Sequence, residues 1–177
     1  MDYIFIDHKP QACPYTAPMP ITNVKKMRRS PGFLLRCANQ FAVAIVAEHF
    51  TPLNLTSIQF AALVAINDSP GLVATRLAAL IDYDRPTMTG VIDRLEAKGL
   101  VMREVDPNDR RARLLFLTPE GLRVLEAADR AAHESRDVLL GPLPPEERRQ
   151  FMQLLEKLVE LHTSRHSPSV QAELTGK

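Results

Sequence analysis

The sequence predicts a mainly α (α+β) fold, and three observations carry that prediction. Apolar residues recur at helical spacing through most of the stretch from residue 32 to residue 163. The pattern is interrupted once, where Leu100 to Val105 and Arg113 to Leu117 read as two short strands joined by a charged loop. Two short helical segments with a polar turn between them come directly before those strands. That order describes a winged helix-turn-helix with a two-stranded β wing, set among six helices.

The chain has 177 residues, 45% of them hydrophobic, enough for one domain with a real core and too apolar for a chain disordered throughout. No apolar run approaches the roughly 20 residues that span a bilayer. Asp2 and Asp7 stand where a signal peptide carries Lys or Arg, so a cytoplasmic protein with no membrane partner is expected. Two cysteines, Cys13 and Cys37, make no disulfide framework and agree with a reducing compartment. The 22 basic and 21 acidic residues leave a net charge of +1, which taken alone speaks against nucleic acid. Local sorting changes that. From Arg85 to Arg113 there are seven basic and five acidic residues, whereas acids outnumber bases in the last two helices.

Residues 1–31 hold five of the 14 prolines and no periodic pattern, so an irregular arm is expected, ending in Lys25, Lys26, Arg28 and Arg29. That cluster suits either a solvated linker or a contact with DNA or a partner subunit. A first helix from about Gly32 to Phe50 is apolar on most sides, as a helix buried by a second subunit is. Thr56 and Gln59 form a capping-box pattern opening a second helix to about Asn67. After the turn at Asp68 to Gly71, a third helix runs from about Val73 to Ile81. Asp84 caps a fourth, Arg85 to Lys98, with Pro86 in its first turn and Gly99 as its left-handed stop. Thr118 and Pro119 open a fifth helix to about Leu140. A proline-rich corner then leads to a sixth, about Glu146 to His162, with Phe151, Leu154, Leu155, Leu158 and Leu161 as a stripe. The resulting organisation is an arm (1–31), a helical dimerisation region (32–50 and 119–163), a winged domain (51–118) and a polar tail (164–177).

A recognition helix puts short polar side chains and an Arg at its N-terminal end and packs its other face on the core. Arg85, Pro86, Thr87 and Thr89 suit the first role; Met88, Val91, Ile92 and Leu95 suit the second. Arg94 lies further along the same helix. The backbone N–H groups at the helix start also suit a phosphate. Arg110, Arg111 and Arg113 sit at or beside the hairpin tip, as suits the narrow and strongly negative minor groove. Asp109 beside them can hold one guanidinium by a paired hydrogen bond and leave another free.

Two stretches carry a resemblance to a known family. Asp109-Arg110-Arg111-Ala112, running on to Leu117-Thr118-Pro119-Glu120-Gly121, resembles the wing motif of the MarR family of transcriptional regulators, D-R-R-A followed by L-T-x-x-G. Leu77 to Ile81 and Arg85 to Val101 resemble its helix-turn-helix, including the R-L-E-x-x-G-L-V ending. The likeness spans about residues 31 to 163. It implies a homodimeric, sequence-specific DNA-binding regulator, a repressor released by a small effector, acting on double-stranded DNA at a pseudo-palindromic operator. It also implies that the fourth helix enters the major groove and the wing the minor groove. Gly90 departs from the family, which often has a longer polar residue there, and so removes one base or phosphate contact.

Effectors of the family are commonly aromatic acids. Arg36 and Gln40, His49, Gln59 and His133 are the polar groups expected near such a site, with an Arg as partner for a carboxylate. Redox sensing through Cys13 or Cys37 is the rival switch, although Cys37 falls on the apolar stripe. A winged ligand- or protein-binding module without DNA is the third reading. No metal site, cofactor or enzyme activity is expected: His162 and His166 lack further ligands, and no phosphate-binding glycine loop, G-x-S-x-G or H-E-x-x-H occurs.

Overall fold

A computed structural model describes residues 23–166 of the chain. The chain divides into two compact units, Met1–Gln40 and Phe41–Lys177. Within the first, Asn23 caps a single helical turn, α1 (Val24–Met27), where the sequence reading has an irregular arm. Helix α2 (Pro31–Phe50) then starts one residue earlier than expected, because Ser30 accepts from the Phe33 N–H and Pro31 needs no partner for its nitrogen.

In the second unit, a 3-10 turn at Thr51–Leu53 closes on Asn54, which adopts the left-handed conformation that an Asn tolerates. Thr56 and Gln59 make the expected capping box, and α3 (Ser57–Asp68) follows. The order continues with β1 (Leu72–Val73), α4 (Ala74–Leu80), α5 (Arg85–Ala97), β2 (Val101–Val105), β3 (Arg113–Leu117), α6 (Pro119–Leu140) and α7 (Pro145–His166). The described residues therefore form seven α-helices and three strands, against the six and two expected. The additional strand is β1, which pairs antiparallel with β3 at Leu72–Leu115 and Val73–Leu114. At two residues it is too short to carry a periodic signal. Helix α7 continues through Ser164 to His166, past the point where a frayed tail is expected.

The sheet has the order β1-β3-β2, with Val101 opposite Leu117 and Val105 opposite Arg113. Its root is buried and its far half is exposed. Val101 and Leu115 join a core made of Leu63 and Ile66 from α3, Leu77 from α4, the stripe Met88, Val91, Ile92 and Leu95 from α5, and Ala128 from α6. On α6 the buried face runs through Gly121, Ala128, Ala131 and Ser135, while Leu122 turns outward to 44% exposure.

Exposed apolar side chains are concentrated at the two ends of the described chain. Leu34 and Leu35 are exposed in the first unit; Phe41 and Val43 in the second, at 65% and 61%. Helix α7 contributes Phe151, Met152, Leu154, Leu158, Val159 and Leu161, all exposed, and has no buried residue among those described. Faces of this kind are found where another surface covers them.

Gly121 shows how closely the winged domain is assembled. A Cβ at this position would stand 2.0 Å from the Leu100 carbonyl oxygen, a backbone atom that cannot swing away. Gly121→Ala is therefore expected to cost about 1–3 kcal/mol, by forcing α6 away from the root of the hairpin. Urea denaturation measures this, with an unchanged midpoint as the opposing result.

Candidate nucleic-acid interface

Helix α5 is organised by its two ends. At the N-terminus the Asp84 carboxylate accepts from the Thr87 N–H at 2.8 Å and from the Thr87 hydroxyl at 2.7 Å. These two bonds favour the ionised form and hold the Asp84 carboxyl below the ordinary carboxylate range. The cap thus occupies one of the backbone N–H groups that the sequence reading offered to a phosphate, that of Thr87. Thr89 donates its hydroxyl to the Arg85 carbonyl at 3.0 Å. Both threonine hydroxyls spend their proton on the protein and keep lone pairs facing outward, since both residues are exposed.

Arg85, Pro86, Thr87 and Thr89 are exposed on the first turns of α5, while Met88, Val91, Ile92 and Leu95 are buried on the other side. Arg94 is exposed further along, and a Cβ at Gly90 would lie 3.7 Å from its guanidinium. The glycine that departs from the family pattern therefore leaves open the space beside Arg94. Neither Arg85 nor Arg94 has a side-chain partner among the described residues.

The wing is built differently from its sequence reading. Asp109 bonds no guanidinium: its side chain accepts from the Arg111 N–H at 2.9 Å and its carbonyl from the Ala112 N–H at 2.9 Å. Asp106 likewise accepts from the Asn108 N–H at 2.7 Å. The two acids shape the loop through its backbone, as short Asp side chains in turns do. Arg113 folds back to donate to the carbonyls of Arg110 and Ala112, at 2.8 and 3.1 Å. Arg110 and Arg111 remain exposed, with no side-chain partner among the described residues. The tip thus presents two free guanidinium groups, where one bound and one free were expected.

Sequence reasoning missed two charged residues near α5. Lys98, at the C-terminal end of α5, donates to the Asn54 carbonyl and, at 3.1 Å, to Gln59 Oε1. Arg103 on β2 bonds both Asp93 and Glu96 of α5. Asp93 and Glu96, beside Arg94 on α5, thus find their partner on strand β2. A three-residue spacing on one helix face was the available signal; the strand register that brings Arg103 opposite was not.

The polar groups expected around an effector are each placed locally. Arg36 donates to Gln40 at 2.9 Å and lies 4.8 Å from the centre of the Phe33 ring. His49 Nδ1 is 2.8 Å from the Ile45 carbonyl, and His133 Nε2 is 3.6 Å from Asp129. Gln59 is buried, with its oxygen shared between the Thr56 N–H and Lys98. An open groove of about 560 Å³ lies beside Gln59. Leu55, Ile58 and Thr56 line it together with Arg94 and Lys98, and its lining holds no acidic side chain. Cys37 is half-buried beside the Arg36 guanidinium, at 3.7 Å, and Cys13 lies outside the described residues. Among the described residues no cluster of three metal-ligating side chains occurs, and no single helix is long and apolar enough to cross a membrane.

Comparison with known proteins gives the interface its context. Residues 55–112 match the model of the MarR family. The transcriptional regulator HosA of Escherichia coli O111:H- is 38% identical over 112 residues, covering 63% of this chain and 82% of HosA. BpsR of Bordetella bronchiseptica, whose DNA binding is regulated by 6-hydroxynicotinic acid, has a structure that matches with a TM-score of 0.69 at 34% identity. That match covers 75% of this chain and 94% of BpsR. The transcriptional repressor CouR, bound to a 23-mer DNA duplex, matches with a TM-score of 0.72 at 26% identity, over 81% of this chain and 99% of CouR.

The Asp84 cap has a pH signature. Its carboxyl titrates lower when folded than when unfolded, so the cap stabilises the protein fully above the ordinary carboxylate range. That contribution fades as the pH falls through the lowered folded value. The difference in melting temperature between wild type and Asp84→Ala should stay constant from neutral pH down to that range and shrink below it. A difference already falling between pH 7 and pH 5 would contradict the assignment.

Proposed function

Because the chain belongs to the MarR family of DNA-binding transcriptional regulators, we propose that it acts as a homodimeric repressor on a pseudo-palindromic operator, released by a small anionic effector. The observation that carries the DNA reading is the set of unpaired cations on two neighbouring elements. Arg85 and Arg94 stand on α5 and Arg110 and Arg111 at the wing tip, on a domain where Asp84 caps a helix, Asp109 shapes the wing loop, and Asp93 and Glu96 pair with Arg103. In this reading α5 lies in the major groove and the wing in the minor groove. Arg85 donates to guanine or phosphate, while Thr87 and Thr89 meet the base edges as acceptors.

In this reading residues 32–50 and 119–163 form the dimer interface, which the exposed apolar faces of α2 and α7 support. Two-fold symmetry then sets half-sites about one DNA turn, roughly 34–36 Å, apart. A regulator of this kind works in the cytoplasm, beside its DNA. An aromatic carboxylate suits the groove, where Leu55 and Ile58 offer an apolar wall and Arg94 a free guanidinium. BpsR, with its 6-hydroxynicotinic acid, lends the same chemistry.

In a gel shift the wild type is expected to bind its own upstream DNA with an affinity that falls steeply as salt rises. Arg111→Ala should weaken binding and reduce the log–log salt slope by about 1.8, one phosphate contact in each protomer of the dimer. Equal affinity for Arg111→Ala would remove the wing from the interface. Leu154→Asp with Leu158→Asp should convert a dimer to a monomer by analytical ultracentrifugation and abolish the shift; a dimer that persists contradicts the α7 interface. 6-Hydroxynicotinic acid serves as the effector probe. A thermal shift with this acid, present in wild type and absent in Arg94→Ala, supports the groove, and an identical shift in both argues against it.

A further inference from the structure

We propose that Arg103 is a positioning residue for DNA recognition: it holds the wing at a fixed angle to the recognition helix through the two acids Asp93 and Glu96. Strand β1 backs β3 at Leu114 and Leu115, so the hairpin is a free two-stranded ribbon only beyond that pairing. Its root is packed through Val101 and Leu115, but Met102, Glu104 and Val105 are exposed, and so is most of the loop beyond them. An isolated two-stranded ribbon is marginal in water and twists readily. Arg103 stands midway along β2, opposite Leu115 of β3, between the packed root and the free tip.

From there the guanidinium reaches Glu96 with one nitrogen, at 2.7 Å, and Asp93 with the other. Among the described residues these are the only side-chain hydrogen bonds between β2 and α5. The planar fork fixes direction as well as distance, because both arms must be satisfied by carboxylates one helical turn apart. The Arg103 side chain is 27% exposed, and two carboxylates over-compensate its charge, so this cation is turned toward the protein and does not serve as a phosphate contact.

This arrangement reverses a simple electrostatic expectation. Asp93 and Glu96 are negative charges on the helix that faces DNA, and by repulsion alone their removal should tighten binding. If they hold Arg103, their removal loosens the wing, and specific binding must weaken. Arg110 and Arg111 then reach the minor groove from a spread of angles, and only part of that spread is productive.

The test uses a duplex enriched by the full-length wild type from a random-sequence pool, with a scrambled duplex of equal length as the non-specific control. Binding is read by fluorescence anisotropy across a salt series. Arg103→Gln, Asp93→Asn and Glu96→Gln are each expected to bind the enriched duplex about fivefold to tenfold more weakly. Their salt slopes should match the wild type, and the two carboxylate variants should bind the scrambled duplex no more weakly than the wild type. Arg103→Gln combined with Asp93→Asn should be no worse than Arg103→Gln alone, as a shared interaction requires.

Asp93→Asn and Glu96→Gln variants that bind as well as wild type, or better, overturn the proposal. So does a slope reduced by about 1.8 in Arg103→Gln, the signature of a direct phosphate contact in each protomer. Should Arg103→Gln fail to fold, the two carboxylate variants decide alone. The proposal rests on the DNA-binding function: a wild type that enriches no duplex overturns that function, whereas enrichment with unweakened carboxylate variants overturns only the brace.

Discussion

The winged domain depends on what happens around the Leu100 backbone. Its N–H donates to the Leu95 carbonyl and closes the end of α5. Its carbonyl accepts from the Thr118 N–H, which joins the strand leaving α5 to the residue that caps α6. Thr118 in turn donates its hydroxyl to the Gly99 carbonyl and caps the Gly121 N–H. Gly99 reverses the chain in the left-handed conformation, and Gly121 lacks the Cβ that would strike the same Leu100 oxygen. Four consecutive elements, α5, β2, β3 and α6, are thereby fixed at one point. The L-T-x-x-G run read from the sequence has a steric and hydrogen-bonding cause at that point, independent of any contact with DNA.

A domain fixed at one point still has to orient the parts that extend away from it. The N-terminal half of α5 leans on Asp84 and keeps its outward side chains free. The C-terminal half is held from two sides, by Arg103 from the hairpin and by Lys98 toward Asn54 and Gln59. Lys98 matters because Asn54 ends the 3-10 turn that follows Phe50, the last residue of α2. An ammonium bonded to a main-chain carbonyl and a buried carboxamide ties the orientation of α5 to the turn that follows the last residue of α2. A shift in that turn cannot leave α5 undisturbed without breaking those bonds.

Much of this was legible in the sequence, and the reasons differ by element. Periodicity placed the buried stripe Met88, Val91, Ile92 and Leu95, because a helix with one packed face repeats every three or four residues. Local chemistry placed the caps at Thr56, Asp84 and Thr118, because a cap involves residues three apart and nothing distant. Strand β1 escaped because two residues have no period. The true role of Asp109 escaped because an Asp beside Arg looks like an ion pair, while the backbone N–H of a tight loop is nearer and costs less side-chain entropy to reach. Arg103 escaped for a third reason. Its partners lie seven and ten residues away, at a separation set by the strand register and the turn at Gly99 together.

The near-neutral composition then has a physical reading that counting cannot supply. A charge matters to a distant polyanion only if it is not already matched by a neighbour, since paired charges cancel within a Debye length of roughly 8–10 Å. Around the interface Asp84, Asp106 and Asp109 are turned to backbone N–H groups, while Asp93 and Glu96 are spent on Arg103. Each is thus neighboured by positive partial or full charge. Arg85, Arg94, Arg110 and Arg111 have no such match, and their field reaches outward. A net charge of +1 over the whole chain is therefore compatible with a face that presents four unpaired guanidinium groups. In the proposed reading such a protein has little bulk charge with which to hold DNA indiscriminately, and its affinity depends on bringing a few unpaired guanidinium groups to the right phosphates and bases at once. Geometry, and hence the rigidity of the wing and the recognition helix, carries the discrimination that total charge cannot.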